Sequence, residues 1–196
     1  MAIDGPVRIA VEGDHDAEIA KCVLQHVGLS YEEPIVAGGK GELDKRLRGY
    51  NNAARHAPWL VLRDLDRDAC APVLLKSLLV SPASQMRLRI VVRAAEAWLL
   101  ADEESLCRFL GVERHDLRQS PESIENPKLA LVNLARKSRD RAIVRDMVAP
   151  EGTRRIVGRG YSARILEYVR EQWRPGVAAT RSDSLRRCIE VLKQWT

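Results

Sequence analysis

The 196-residue sequence predicts an α/β fold, a small and mostly parallel sheet flanked by helices, with a helical C-terminal extension. Three observations predict it. Short apolar runs alternate with helical periods through the first hundred residues, the pattern of strand–helix–strand crossovers. Beyond residue 102 the apolar runs give way to helical periods alone. Hydrophobic residues are 45% and charged residues 30% of the chain, which excludes a disordered tail, a collagen-like repeat and a disulfide-rich miniprotein. The expected division is an α/β core over residues 1–102 and a helical extension over 103–196, packed together as one unit.

The elements follow in order. Val7–Val11 is a strand ending at Glu12-Gly13. Asp14 or Asp16 caps the next helix, Ala20, Val23, Leu24 and Val27 form its apolar face, and Gly28 stops it. Pro34–Ala37 is a second strand running into Gly38-Gly39-Lys40-Gly41, and Leu43, Leu47, Tyr50 and Ala54 mark a helix after it. Trp59–Leu62 is a strand followed by Asp64-Leu-Asp-Arg-Asp68; Pro72–Leu79 is a short helix and Leu88–Val92 the next strand. In the second half, Asp102 caps a helix that Gly111 stops, and Asn126-Pro127 opens another that Leu129, Val132 and Leu134 continue. Ser162 caps a helix ending near Trp173-Arg-Pro175, and Ser182 caps the last, with Leu185, Cys188, Ile189, Leu192 and Trp195 inward.

The acids fall at strand ends. Glu12 follows the first strand, Asp64 and Asp66 the Trp59 strand, and Glu96 lies just beyond the Leu88 strand. Parallel strands bring all of them to one carboxyl edge, where open α/β sheets bind ligands. An extended backbone points Asp64 and Asp66 the same way. Converging carboxylates repel unless a cation lies between them, and hard oxygen donors suit Mg²⁺ or Mn²⁺. Asp68 competes for a ligand role. The plainer alternatives are a surface acid at Glu12, a solvated turn at 64–68 and a Glu96–Arg93 pair. A calcium loop lacks its glycine and terminal glutamate.

Charge is uneven. Residues 1–102 carry 13 basic against 14 acidic side chains, and residues 103–196 carry 19 against 13. Arg136–Arg159 holds eight basic and three acidic residues. Arg139, Arg141, Arg154 and Arg155 are the candidate contacts to a phosphate backbone, the alternative being an arginine-rich solvated surface. Lys40 and Lys128 are further candidate phosphate contacts, each weighed against a solvated turn or helix start. Gly158-Arg-Gly160-Tyr-Ser-Ala163 imitates a dinucleotide fingerprint but follows no strand. Four separated cysteines and four histidines (His15, His26, His56, His115) form no zinc pattern. No apolar run reaches the roughly 20 residues of a membrane span, so the expectation is a cytoplasmic protein without a membrane partner.

Val-Glu-Gly at 11–13 followed by a helix, then Val-Leu-Arg-Asp-Leu-Asp at 61–66, resembles the Toprim pattern of topoisomerases, DnaG-type primases, recombination proteins and OLD-type nucleases. With Gly-Gly-Lys-Gly at 38–41, Ala-Glu-Ala-Trp-Leu-Leu-Ala-Asp at 95–102 and Asn-Pro-Lys at 126–128, the chain resembles a Toprim-like bacterial family of unknown function. The resemblance implies Glu12 as metal ligand or general base, Asp64 and Asp66 as metal ligands and Glu96 as an additional one. It implies Mg²⁺-dependent cleavage of nucleic acid, DNA before RNA, in a genome-defence setting, with a partner protein such as an ATPase as a candidate. The alternatives are a non-catalytic metal- or nucleic-acid-binding module and another metal-dependent phosphohydrolase or phosphotransfer enzyme.

Overall fold

The computed structural model describes residues 3–68, 70–114 and 120–196; His115 lies outside them. The strands are β1 Arg8–Val11, β2 Ile35–Val36, β3 Trp59–Asp64 and β4 Met86–Val91. The helices are α1 Asp14–His26, α2 Lys40–Ala53, α3 Ala71–Leu78, α4 Ala95–Ala101, α5 Glu103–Leu110, α6 Pro127–Arg136, α7 Arg141–Met147, α8 Tyr161–Glu171, α9 Pro175–Ala178 and α10 Asp183–Leu192. They form two compact units, residues 1–92 with 183–196, and residues 93–182. A boundary at residue 102 therefore misplaces two helices: α4 belongs to the second unit, and α10 belongs with the sheet.

In the first unit the sheet is parallel throughout, in the order β2-β1-β3-β4. Ala10 pairs with Ile35 on one side and Val61 on the other, and Val61 pairs with Leu88. A strand buried on both faces reads as a continuous apolar run, and Trp59-Leu-Val-Leu62 is buried at every position. Ala10, Val61, Met86, Leu88 and Ile90 pack on Leu43, Leu47 and Tyr50 of α2, with Leu74, Leu75 and Leu78 of α3 alongside. By strand alternation the opposite face is that of Ile9, Val11 and Val91, and α1 contacts β1 and α10 contacts β4. Gly28, at φ 77°, ends α1 in the left-handed conformation.

The second unit is helical. Every residue of α4 is buried, and α5, α6 and α9 pack against it. The Asp102 side chain accepts the Ser105 N–H at the start of α5, and Asn126 accepts the Leu129 N–H at the start of α6. Helix α6 buries Pro127, Leu131, Val132, Leu134 and Ala135 and leaves Leu129 outside. One expectation shifts. Helix α8 starts at Tyr161, because the Gly160 N–H bonds the Asp146 carbonyl and pins the preceding turn, so Ser162 lies inside the first turn. Among the described residues no helix is long and apolar enough to cross a membrane.

Candidate functional site at the carboxyl edge of the sheet

Strand order reverses between β1 and β3: β1 leads outward to β2, and the chain then crosses to the other side for β3 and β4. The crevice at such a reversal, at the carboxyl ends of the strands, is where parallel α/β sheets accept ligands. Glu12 and Asp64 end the two strands that flank it. The Asp64 N–H donates to Glu12 Oε1 at 2.9 Å, tying the two strand ends together. The Glu12 carbonyl in turn accepts the N–H groups of Gly38 (3.1 Å) and Gly39 (3.0 Å), which brings the Gly-Gly-Lys-Gly turn to the same edge. Gly39 stands at φ 123°, a backbone that side-chain-bearing residues rarely adopt.

Lys40, the first residue of α2, reaches Asp66 with Nζ 2.9 Å from Oδ2. Asp66 is not on the strand. Strand β3 ends at Asp64, and Asp66 occupies a turn at φ 50°, so the expected extended arrangement of Asp64 and Asp66 is replaced. Aspartate tolerates this left-handed conformation better than most residues. Asp68 closes the turn, its N–H bonding the Leu65 carbonyl at 3.0 Å.

Two participants escaped the sequence reading. Arg63 is buried at the end of an apolar strand, and its guanidinium reaches Asp68 at 2.8 Å, Asp44 at 3.3 Å and the Asp64 carbonyl. A buried arginine has to be paired. The signal was present as a cation inside Trp-Leu-Val-Leu-Arg-Asp; Asp44, one turn into α2, carried none. Burial opposes the charge on Arg63, and the Asp44 and Asp68 hydrogen bonds outweigh it, holding the group above its ordinary range. The hydrogen bond to Asp66 likewise strengthens the charged form of Lys40.

Glu12 carries the unbalanced charge. Burial raises its carboxyl above the usual range; the Asp64 N–H and Arg63 oppose that, while Asp66 and Asp44 add to it. Glu12, Asp44, Asp64, Asp66 and Asp68 are five acids at this edge, and Lys40 and Arg63 are the two cations paired with them. Glu12, Asp64 and Asp66 are hard oxygen donors, and their chemistry fits Mg²⁺ or Mn²⁺. Among the described residues no group of three or more Asp, Glu, His or Cys side chains is drawn together as a ready metal cage. Lys40 and Arg63 hold Asp66 and Asp68 instead.

Glu96 lies in the second unit, in the first turn of α4, and is buried. Its Oε1 accepts the Tyr161 hydroxyl at 3.4 Å and stands 3.3 Å from Lys128 Nζ. Lys128 is thus the partner of a buried acid. Burial, and then the charge and hydrogen bond of Glu96, push the Tyr161 hydroxyl far above its ordinary range. The Ala-Glu-Ala-Trp-Leu-Leu-Ala-Asp segment is a buried helix whose two acids both anchor neighbours: Asp102 accepts Arg174 Nη2 at 2.7 Å and Arg174 Nε at 3.0 Å. Of the candidate arginines, Arg139 pairs with Glu113 at 2.6 Å. Arg141, Arg154 and Arg155 are exposed and form no ion pair among the described residues. The glycines of the Gly158–Ala163 segment answer to packing. A Cβ on Gly158 would stand 2.8 Å from the Met147 carbonyl carbon, and one on Gly160 would stand 2.7 Å from Asp146 Cβ.

No protein-family model, curated protein or solved structure matches the chain.

Proposed function

We propose that the chain cleaves nucleic-acid phosphodiester bonds with the help of a divalent cation, Mg²⁺ or Mn²⁺, held by Asp64 and Asp66 beside Glu12. The observation that carries this reading is the Asp64 N–H···Glu12 bond at the strand-order reversal, beside acids whose charge is only partly balanced. Such a cation polarises a phosphate and acidifies a bound water. Glu12, anchored through Oε1, offers Oε2 either to the cation or to the proton of the attacking water. Lys40, paired with Asp66, would be available to a phosphate oxygen if a cation took its place on that carboxylate. Arg141, Arg154 and Arg155, exposed on the second unit, are by themselves candidate contacts to a phosphate backbone, through forked contacts that carry no sequence information. The Toprim resemblance supports the acidic site more than it supports a substrate, and DNA is the substrate tested first.

A second reading is a metal- or nucleic-acid-binding module that does not cut. The observation in its favour is that Lys40 and Arg63 already hold Asp66 and Asp68. One experiment separates the two: labelled DNA and RNA oligonucleotides incubated with Mg²⁺, Mn²⁺ or a chelator, for wild type and Asp66→Asn. Metal-dependent cleavage lost in the variant supports the nuclease. Retained cleavage in Asp66→Asn removes that residue from the mechanism. Binding without metal-dependent cleavage in the wild type supports the module.

A further inference from the structure

We infer that the first unit carries a second site, lined by none of the acidic-edge residues, for a small organic anion with an apolar body: a carboxylate or phosphate monoester on a short hydrocarbon chain. The site is a groove of about 310 Å³ between α3, β4 and α10. Its α3 side is Leu75, Leu79 and Pro82, its α10 side is Val191 and Gln194, and Arg87 and Arg89 line it from β4. Those arginines are two apart on an edge strand and therefore share a face.

Four of the other buried or half-buried arginines are paired, while Arg93, in the second unit, shares a buried Nε without a hydrogen bond. Arg63, Arg164, Arg174 and Arg181 each hold a carboxylate. Arg87 and Arg89 hold none among the described residues. Arg87 Nη1 donates to the carbonyls of Ser84 at 2.9 Å and Met86 at 3.1 Å, and its Cζ stands 4.8 Å over the Trp195 ring. Arg89 bonds the Cys188 thiol. The Nε atoms of both arginines are buried and make no hydrogen bond. Burial, and then the charge of Arg89, weaken the charged form of Arg87. Two half-desolvated like charges with idle donors constitute a standing electrostatic cost that an anion between them removes. The fork of a guanidinium suits a carboxylate or phosphate.

The walls set the rest of the ligand. They are leucine, proline and valine side chains, which reward an apolar body and strengthen a charge interaction by excluding water. The volume sits at the lower end of the range of small-molecule pockets, about 300–1,000 Å³. A polyanionic backbone gains nothing from such walls; a small amphiphilic anion fits both halves of the groove.

The test is an amide-resolved NMR titration of the full chain with sodium octanoate, octyl phosphate, octanol, acetate and inorganic phosphate. Octanoate, octyl phosphate or both should bind saturably and shift the amides of 86–89 and 191–194, while octanol, acetate and inorganic phosphate leave them unmoved at equal concentration. The tighter of the two amphiphiles identifies the headgroup source. Arg89→Gln should weaken binding about tenfold or more. Val191→Phe, which keeps both charges and fills the groove, should abolish it, so a folding defect in the arginine variant leaves the question decidable. Octanol binding as well as octanoate, shifts elsewhere on the protein, or unaltered binding in Val191→Phe would overturn the assignment.

Discussion

Arg63 sets the conformation of the turn after β3. One guanidinium holds Asp44, Asp68 and the Asp64 carbonyl, so its removal leaves two carboxylates without their cation. Arg63→Met should cost about 2–3 kcal/mol in urea unfolding, less than breaking a fully buried pair because Asp44 and Asp68 keep partial contact with water. Asp66 behaves differently. Its ion pair with Lys40 is roughly half exposed and is worth at most about 1 kcal/mol. Asp66→Asn should leave the melting temperature without metal nearly unchanged while removing stabilisation by Mg²⁺ or Mn²⁺, because binding to the folded state acts by mass action. Asparagine is the right replacement, since alanine at φ 50° adds a backbone penalty of about 1–2 kcal/mol that would obscure the electrostatics. Lys40→Ala reports the opposite side of the pair. It frees Asp66, so stabilisation by Mg²⁺ should rise while cleavage falls, and equal metal responses in wild type and Lys40→Ala would show that the ammonium and the cation do not compete.

At the scale of elements, the turn before α8 runs close against α7, its glycines lying on the Asp146–Met147 backbone. Gly158→Ala pushes a methyl group into the Asp146–Met147 backbone and should cost about 1–3 kcal/mol, read as a shift of the denaturation midpoint. Asp146 also links this contact to pH. The Arg145 hydrogen bond, joined by Arg164, holds its carboxyl below the ordinary range against the opposing effect of desolvation. The folded value lies below the unfolded one, so this stabilisation is present above the unfolded carboxylate value and is lost as pH falls through the folded one. Asp146→Asn should therefore lower stability at about pH 7, and the difference should shrink as pH falls below the unfolded carboxylate value, compared by urea midpoints. The same elements show what the sequence made legible. Strands β1 and β3 stood out because parallel strands buried on both faces read as apolar runs, β4 showed only its Leu88–Val92 end because Arg87 and Arg89 alternate with its apolar residues, and Asp102, Gly111 and Asn126 announced helix ends through local chemistry. Glu12 and Asp64 were legible because the strand ends were. Arg63–Asp44 was not, because it joins a strand to a helix across 19 residues and no local pattern encodes such a pair. Glu96 read as an edge acid because nothing in Ala-Glu-Ala-Trp shows that Tyr161 and Lys128 will enclose it.

For the whole molecule, charge and chain order matter more than any one contact. The second half of the sequence is basic, and Arg154 and Arg155 stand exposed without ion pairs among the described residues. If they hold phosphates, Arg154→Gln with Arg155→Gln should reduce the slope of log affinity against log salt by about 2 in an oligonucleotide-binding assay, while an unchanged slope would assign them to the solvated surface. The division of the chain has a further consequence for its synthesis. The sheet unit is discontinuous: residues 183–196 complete it, yet the whole of 93–182 leaves the ribosome before them. At about 5–20 residues per second, several seconds separate the emergence of β4 from that of α10. During that interval the β4 face that α10 will cover has no native cover from its own unit, and β4 is an edge strand, the kind of element that invites pairing with another chain. Arg87 and Arg89 are the charges that interrupt this strand, and charges so placed disfavour pairing with another chain while the strand is uncovered.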